Sequence, residues 1–341
     1  MYSFKNDYSE GAHPEILKAL TETNLIQAEG YGEDRFSIEA ASLIREACAA
    51  PDIDIHFVAG GTMANLVALS SFLRPHEAVI STLAGHIYVH ETGAIEATGH
   101  KVLPVDSPDG KIRPAQVTAV LEEHHFEHMV KPKLVYISQP TENGTLYSKG
   151  EMTALRGLCD EEDLFLYVDG ARLGSALASE ANDISLPDLK RLSDAFYIGG
   201  TKNGALLGEA LVICTDSLKK DFRYMLKQKG AMMAKGRVTA IQFLSLFKED
   251  LYVKLGFHAN RMAGKLQDRI VQLGYDVQFS SSTNQIFPVF PESVIQALER
   301  KFDFYRWCKY DAERWVVRLI CSWATMDEHV NAFVDELKRL G

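Results

Sequence analysis

The sequence predicts an α/β protein in which a mostly parallel sheet forms a large domain and a small α+β domain follows it. Short apolar runs alternate with stretches of helical periodicity up to Cys214, a pattern typical of parallel strands covered by helices on both faces. After Lys235 this alternation ends and a long helical stretch begins. We therefore assign residues 1–245 to the large domain and residues 246–341 to the small C-terminal domain.

The predicted elements follow from hydrophobic periodicity and from glycine-containing turns. Before the sheet we expect helices near His13–Thr21 and from Phe36 to Ala47. The predicted strands of the sheet are Ile53–Ala59, Ala78–Ser81, Lys101–Val105, Lys133–Ser138, Leu164–Val168, Ala195–Ile198 and Ala210–Cys214. The helices between them are Met63–Phe72, Tyr88–Ala97, Arg113–His125, Lys149–Glu161 and Leu173–Ser179. The small domain is expected to contain a helical stretch over Val238–Leu273, strands at Tyr275–Phe279, Gln285–Val289 and Val316–Cys321, and helices at Glu292–Arg300 and Asp327–Leu340.

Composition and charge exclude several classes of protein. The 341 residues are 46% hydrophobic and 24% charged, as in ordinary globular proteins. A formal net charge of −10 argues against a nucleic-acid or anionic-membrane partner. Five scattered cysteines without a C-x-x-C pair indicate free thiols in a reducing compartment, and no apolar run is long enough to span a bilayer. We therefore expect a cytoplasmic protein.

A lysine among glycines and an acidic residue one predicted strand earlier indicate a reactive site. Lys202 follows the apolar run Ala195–Ile198 in a glycine-rich turn, where an amine is open to a carbonyl compound. Asp169 ends the preceding strand. Gly60-Gly61-Thr62 begins a helix, whose N-terminus attracts anions. An amine, a carboxylate and a phosphate-binding turn at one sheet edge are what pyridoxal phosphate (PLP) requires, so we predict a PLP site.

Single residues of this set also fit two other interpretations. A lysine in a glycine turn is by itself more often a surface residue, and only its combination with Asp169 favours a cofactor site. His86, His90 and Glu91 are spaced closely enough to suggest a metal site, but the H-E-x-x-H motif is absent. We therefore expect no metal.

Six motifs, in this order along the chain, carry a resemblance to one family. The motifs are Tyr31–Asp34, Gly60–Asn65, Ala84–Tyr88, Asp169–Arg172, Lys202 and Val317–Leu319. Together they resemble the low-specificity L-threonine aldolases, which belong to the β-eliminating lyase group of PLP enzymes and have the aspartate aminotransferase fold (fold type I). Two further segments, Gln139–Gly144 and Gly199–Gly204, are similar to a branch that includes phenylserine-type aldolases.

The resemblance implies a role for each matched residue of the cofactor site. Lys202 would be the Schiff-base lysine, and Asp169 would hold the proton on the pyridine nitrogen. His86 would stack on the ring, close to the substrate's β-hydroxyl group. Gly61 and Thr62 would bind the phosphate.

The resemblance also implies substrate contacts and an assembly. Arg172, which would also contact the cofactor, and Arg318 would bind the substrate carboxylate, for which a guanidinium group has matching geometry. Lys235 of a neighbouring subunit would reach the phosphate, as a basic residue does in the family. The catalytic unit would then be a homodimer, or a homotetramer made of two such dimers.

Three positions depart from the family pattern. Asn6 stands where serine is common and can still donate to a carboxylate, while Gly60 replaces a common hydroxyl residue. Glu142 stands where many threonine aldolases have a histidine near the substrate hydroxyl group. A carboxylate can act as a general base if its pKa suits the pH, so both Glu142 and His86 are candidate bases.

The implied reaction is retro-aldol cleavage of L-threonine or L-allo-threonine to glycine and acetaldehyde. A β-aryl substrate such as phenylserine is the alternative within aldolases. β-Elimination and transamination on the same scaffold are alternatives within PLP chemistry, and a non-catalytic PLP-binding protein is an alternative outside it.

Overall fold

The computed structural model describes residues 1–340, in which strands and helices alternate along the first part of the chain. The strands are β1 (Tyr2–Ser3), β2 (Asp54–Val58), β3 (Glu77–Thr82), β4 (Val102–Val105), β5 (Lys131–Ser138), β6 (Phe165–Asp169), β7 (Ala195–Gly199), β8 (Glu209–Ile213), β9 (Gln285–Ile286), β10 (Val289–Pro291), β11 (Phe302–Asp303), β12 (Tyr305–Lys309) and β13 (Arg314–Ile320). The helices are α1 (Pro14–Thr23), α2 (Arg35–Ala47), α3 (Gly61–Phe72), α4 (His86–Val89), α5 (Pro114–Glu123), α6 (Lys149–Glu161), α7 (Leu173–Leu177), α8 (Leu186–Leu192), α9 (Asp216–Lys219), α10 (Phe222–Gln228), α11 (Arg237–Phe247), α12 (Leu251–Gln272), α13 (Glu292–Leu298) and α14 (Asp327–Leu340).

The central sheet has seven strands in the order β2-β8-β7-β6-β5-β3-β4. Strand β8 is antiparallel to both of its neighbours, and all other pairs are parallel. Alternate residues of β7 belong to different apolar clusters, Phe196 and Ile198 to one and Ala195 and Tyr197 to the other. Because successive side chains of a strand point to opposite faces, the sheet is buried on both sides. The predicted fold class, with its mostly parallel sheet, is confirmed.

The direction of the strands brings the predicted site residues to one edge. Parallel strands β6 and β7 end at Asp169 and Gly199, so Lys202 follows at the same edge as the aspartate. Strand β8 runs the opposite way, and its first residue, Glu209, pairs with Gly199. Helix α3 begins at Gly61, after the end of β2. A ligand at this edge therefore meets residues from four strands.

The last part of the chain forms a second, antiparallel sheet of β9, β10, β12 and β13, with its own apolar cluster. The beginning of the chain packs on this part: β1 pairs with β11, and Phe4 is fully buried in the same cluster. The division between residues 245 and 246 stays a prediction. The five cysteines are free, and no helix within residues 1–340 is long and apolar enough to cross a membrane.

Several predicted boundaries are wrong. The helix expected at Tyr88–Ala97 is only the single turn α4 and a 3-10 turn at Glu96–Thr98, because Thr92 and Gly93 have positive φ angles that a right-handed helix cannot contain. The stretch over Val238–Leu273 is two helices separated at Glu249 and Asp250, which also have positive φ.

The strand expected at Tyr275–Phe279 is reduced to one bridge between Val277 and Pro288. The predicted Gln285–Val289 strand is split into β9 and β10. The sequence also gave no indication of α8, α9, α10, β11 and β12, which are short or have charged and aromatic residues without clear alternation.

Candidate active site

Two adjoining cavities lie at the carboxyl edge of the central sheet. The first, of about 310 Å³, is lined by Gly61, Thr62, Asp169 and Lys202 together with other residues of the large sheet. The second, of about 610 Å³, extends to β12 and β13. The residues that line both cavities are Tyr8, His86, Glu142, Arg172 and Lys202. The structure therefore brings together the predicted lysine, aspartate, glycine-threonine turn, histidine and arginine.

The glycines before Lys202 are required by close backbone packing. A Cβ atom on Gly200 would lie 2.6 Å from the carbonyl oxygen of Gly208, so only glycine fits there. The Lys202 amine makes no hydrogen bond or ion pair within residues 1–340. Burial, followed by the charge of Arg172, lowers its pKa, although Asp7, Asp169 and Glu209 oppose the shift. A buried amine with a lowered pKa is suited to attack a carbonyl group.

The carboxylate of Asp169 is buried and fixed by four donors of the chain. The donors are Nδ2 of Asn65 (3.1 Å), the hydroxyl of Tyr136 (2.5 Å), the hydroxyl of Tyr197 and the backbone N–H of Ala171 (3.0 Å). Burial by itself raises the pKa of Asp169, but His86 and the hydrogen bonds from Tyr136, Tyr197 and Ala171 outweigh burial and hold the pKa below its ordinary value. Asp169 is therefore an anion that can keep a neighbouring ring nitrogen protonated.

Helix α3 provides an anion site at the other end of the first cavity. Its N-cap residue, Gly60, makes no side-chain capping bond, so no side chain covers the free N–H groups of the first turn. A Cβ atom on Gly61 would lie 3.0 Å from the Tyr197 hydroxyl, so a side chain there would narrow the cavity. The free amine, the fixed carboxylate and the uncapped helix fit the aldehyde, pyridine nitrogen and phosphate of PLP.

Glu209 is a buried acid of this cavity that sequence reasoning missed. Its Oε2 accepts the backbone N–H of Gly200 at 2.8 Å, which ties β8 to the turn that carries Lys202. Burial raises the pKa of Glu209 to about 7, against the lowering effects of Gly200, Thr201 and Lys202. The only signal in the sequence was an acidic residue immediately before an apolar strand.

The two candidate bases lie side by side. Oε1 of Glu142 accepts the backbone N–H of His86 at 3.0 Å and the hydroxyl of Ser138 at 2.8 Å. Burial raises the pKa of Glu142, and the charge of Asp169 adds to this shift. The imidazole of His86 is held through Nδ1, which lies 2.8 Å from Oε1 of Glu91. Both side chains face the shared part of the cavities.

The two arginines have different partners. Nε and Nη2 of Arg172 donate to the two oxygens of Asp7, at 2.7 and 3.1 Å, and Asp7 is fully buried. Arg318 has no carboxylate within salt-bridge distance in the described chain, and its buried Nε has no hydrogen-bond partner. Its guanidinium group lies over the rings of Tyr305 and Trp307, at 5.1 and 4.5 Å from their centres. Arg318 is thus the arginine that a substrate carboxylate can engage.

Two other predicted residues have distinct positions. Asn6 lines the second cavity, but its Oδ1 accepts from the backbone N–H of Tyr8 and the hydroxyl of Ser9, so its oxygen serves a local turn. Lys235 lines neither cavity of its own chain. Its neighbour Ala234 accepts the backbone N–H of Tyr31 at 3.1 Å, which places Lys235 beside the Tyr31–Asp34 loop.

Comparison with known proteins agrees with this geometry. The family model for beta-eliminating lyase matches residues 7–293. A low-specificity L-threonine aldolase of Pseudomonas aeruginosa is 30% identical over 98% of this chain and 96% of its own length. A solved structure of a Leishmania major threonine aldolase has 48% identity and a TM-score of 0.98, covering 100% of this chain and 99% of that one.

A more distant structural match shows the fold alone. A Thermus thermophilus aspartate aminotransferase variant has a TM-score of 0.73 at 15% identity, covering 98% of this chain and 89% of that one. The architecture is therefore that of fold type I. From the family model, the full-length relative and the residues of the two cavities, we conclude that the chain belongs to the beta-eliminating lyase family of PLP-dependent enzymes, together with the low-specificity L-threonine aldolases.

Proposed function

We propose that the protein cleaves β-hydroxy-α-amino acids, with L-threonine or L-allo-threonine as substrate, to glycine and an aldehyde. The observation that carries the proposal is one continuous site that contains a partly buried amine without a partner, a fixed anionic carboxylate and a partly buried arginine without an acidic partner among residues 1–340. The first two residues suit PLP and the third suits an amino-acid carboxylate. The similarity to threonine aldolases of Pseudomonas aeruginosa and Leishmania major supports the choice of substrate.

Arg318 and Arg172 determine how the substrate carboxylate is bound. Arg318 binds the substrate carboxylate, because its guanidinium group lies against two aromatic rings, opens to the second cavity and has no acidic partner within residues 1–340. Arg172 contributes positive charge from a fixed position, since Asp7 already occupies two of its nitrogen atoms. The substrate is then oriented with its α-amino group toward Lys202 and its β-carbon toward His86 and Glu142, which border both cavities.

Bond cleavage requires an electron acceptor and a base. When bound, PLP supplies a protonated ring that accepts the electron pair of the breaking Cα–Cβ bond. Asp169 holds the proton on the ring nitrogen, and the uncapped N-terminus of α3 binds the phosphate. His86 or Glu142 removes the proton of the β-hydroxyl group, and the oxygen then forms the aldehyde. Lys202 would hold the cofactor through its aldehyde group whenever no amino acid is bound.

A β-aryl substrate is the second candidate. The second cavity is lined by Tyr305 and Trp307 as well as by Leu83 and Val89, so one part of its wall is aromatic and apolar. Such a wall suits a phenyl group at Cβ, as in phenylserine. β-Elimination and transamination use the same lysine and aspartate, and they differ in needing no base at the β-hydroxyl group.

The active unit is, by our proposal, a homodimer or a homotetramer built from such dimers. No basic side chain of the described chain other than His86, Arg172 and Lys202 lines the first cavity, so the phosphate lacks a dedicated cation. Lys235 lines neither cavity of its own chain, so it is free to supply that charge to the site of a second subunit. A reducing, cytoplasmic location fits the five free cysteines.

Measurement of aldehyde release tests the proposed function. The PLP-loaded protein is incubated with L-threonine, L-allo-threonine, L-phenylserine and their D-forms, and aldehyde and glycine are quantified together. We expect equal amounts of the two products from the L-forms. Release of pyruvate from L-serine without aldehyde release from any β-hydroxy amino acid would instead assign the protein to β-elimination.

A further inference from the structure

A buried carboxylate, that of Glu91, contacts His86 and has no role in the reaction as proposed above. The Glu91 side chain has 0% exposure, and its Oε1 lies 2.8 Å from Nδ1 of His86. The same oxygen accepts a hydrogen bond from Nδ2 of Asn65 at 2.8 Å. Nδ2 of Asn65 also donates to Oδ2 of Asp169 at 3.1 Å. One line of hydrogen bonds therefore connects His86 with Asp169 through Glu91 and Asn65.

This arrangement determines where His86 carries its proton. An ionised carboxylate can only accept hydrogen bonds, so Nδ1 of His86 must be the donor in the contact with Glu91. In the neutral imidazole ring, Nε2 is then the acceptor. Nε2 makes no hydrogen bond within residues 1–340, and the His86 side chain is 35% exposed at the shared part of the cavities. Nε2 is thus available to a substrate.

Glu91 is not arranged as an ordinary stabilising residue. Its second oxygen, Oε2, is buried and has no hydrogen-bond partner in the described chain. The same is true of Oδ1 of Asn65. An unsatisfied buried polar atom destabilises a folded protein, so Oε2 of Glu91 costs stability that only the contacts of Oε1 can offset. The contact of Glu91 with His86 therefore indicates a functional role for this carboxylate.

We propose that Glu91 is a positioning residue that fixes the tautomer of His86 and stabilises the imidazolium ion that forms during cleavage. The inference rests on the proposed function. The proton of the substrate's β-hydroxyl group moves to Nε2 of His86, and the O–H electron pair becomes the second bond of the aldehyde carbonyl. The electrons of the Cα–Cβ bond pass to the cofactor-bound fragment, and a proton added at Cα later gives glycine. Glu91 keeps its own charge throughout and accepts from Nδ1–H.

The test compares two reactions of the holoenzyme that differ only in their need for the β-hydroxyl base. Aldehyde release needs that base, whereas exchange of the glycine α-proton in D₂O, followed by NMR, needs the cofactor, Lys202 and Asp169 but no base at Cβ. In Glu91→Gln we expect kcat for aldehyde release to fall by roughly 100-fold. Glycine exchange should stay within about 3-fold of wild type, because base removal at Cβ contributes nothing to it. Glu96→Gln, a change at an exposed glutamate five residues away, should alter neither reaction.

A double variant separates an effect through His86 from a general structural effect. If Glu91 acts through His86, Glu91→Gln should cause no further loss of aldehyde release in a His86→Ala background. PLP affinity, measured by absorbance titration of the apoenzyme, should be similar in wild type and Glu91→Gln. Equal losses in exchange and cleavage, an additive loss in the double variant, or unchanged cleavage would each overturn the proposal. Absence of aldehyde release in the wild type would instead overturn the proposed function.

Discussion

The cofactor end and the substrate end of the active site satisfy their charged groups differently. At the cofactor end, Asp169 accepts four hydrogen bonds from the chain and is held as an anion before any ligand binds. At the substrate end, Arg318 is largely buried beside two aromatic rings without an acidic partner among residues 1–340. The carboxylate of Asp169 is thus satisfied by donors of the chain itself, whereas Arg318 is left free to pair with an anion from outside.

Arg172 and Arg318 show the same difference between a charged group with a partner in the chain and one without. Arg172 is neutralised by Asp7, which in turn accepts from Nδ2 of Asn284 at 2.9 Å. Arg318 has no such partner, and burial, followed by the charge of Arg172, lowers its pKa to about 10. Burying a charge without a counter-ion is unfavourable, so a substrate carboxylate gains binding energy at Arg318 that it cannot gain at Arg172. The contrast is between an arginine that is paired within the chain and one that has no acidic partner among residues 1–340, and the second is the one that we propose binds the substrate.

The largest expected effect is at the cofactor end. Lys202→Ala should remove nearly all turnover, because Lys202 is the only lysine that lines either cavity among residues 1–340. Borohydride reduction of the PLP-loaded wild type followed by peptide mapping should label Lys202 alone. Lys18→Ala, at an exposed position of α1, is the matched control and should be fully active. Labelling of another lysine would remove Lys202 from its assigned role.

Asp169→Asn should have the next largest effect. Loss of the negative charge leaves the ring nitrogen unprotonated, so kcat should fall by about 10³-fold or more while PLP still binds. Absorbance titration measures PLP binding, and an aldehyde-release assay measures kcat. Near-normal turnover would show that the four hydrogen bonds to Asp169 serve only folding.

Arg318→Gln addresses the substrate end directly. Removal of a charge-assisted contact should raise KM for L-threonine by about 10- to 100-fold with little change in PLP affinity. Arg314→Gln changes an arginine on the same strand that pairs with Asp311 and Asp276 away from the cavities, and it should leave KM unchanged. Arg172→Gln should differ from Arg318→Gln by also lowering the melting temperature, because it leaves Asp7 buried without its counter-ion. Identical behaviour of the two variants would contradict the contrast between the arginines.

Lys235→Ala tests whether the cofactor end needs a second subunit. Loss of a cation near the phosphate should weaken PLP binding by roughly 10-fold, measured by titration of the apoenzyme. Light scattering combined with activity on dilution should show that the active species is larger than the 38.0 kDa monomer. Full activity at the monomer mass would contradict the shared site.

The smallest expected effect concerns Glu209 and pH. Its pKa in the folded protein, about 7, lies above the ordinary value of 4.5, so between these values the folded state retains a proton that the unfolded state has lost. Stability of the apoenzyme should therefore decrease as the pH rises through this range. Glu209→Gln removes the charge, so it should raise the melting temperature at about pH 8 by roughly 3 °C relative to wild type, and change it little at about pH 5. Calorimetry at the two pH values measures this, and an equal shift at both would rule out ionisation of Glu209 as the cause.

The sequence by itself identified the sheet, the two charged residues at its edge and the family. Asp169, Lys202 and Gly61 could be found because each directly follows or begins a regular element, and parallel strands bring such positions to one edge. Such positions can be recognised from neighbouring residues in the sequence, without knowledge of the contacts in the folded chain. The pairing of Asp7 with Arg172 is not local, since the two residues are 165 positions apart.

Only the tertiary structure decided which partner each charged side chain of the site contacts. It paired Asp7 with Arg172 and left Arg318 against Tyr305 and Trp307. It also placed Glu91 in contact with His86, and Glu209 in contact with the turn that carries Lys202. It also reduced the helix expected at Tyr88–Ala97 to the single turn α4 and a 3-10 turn. Residue type and spacing show which side chains carry charge, but the energy of a buried charge depends on the neighbours that folding brings to it from elsewhere in the chain.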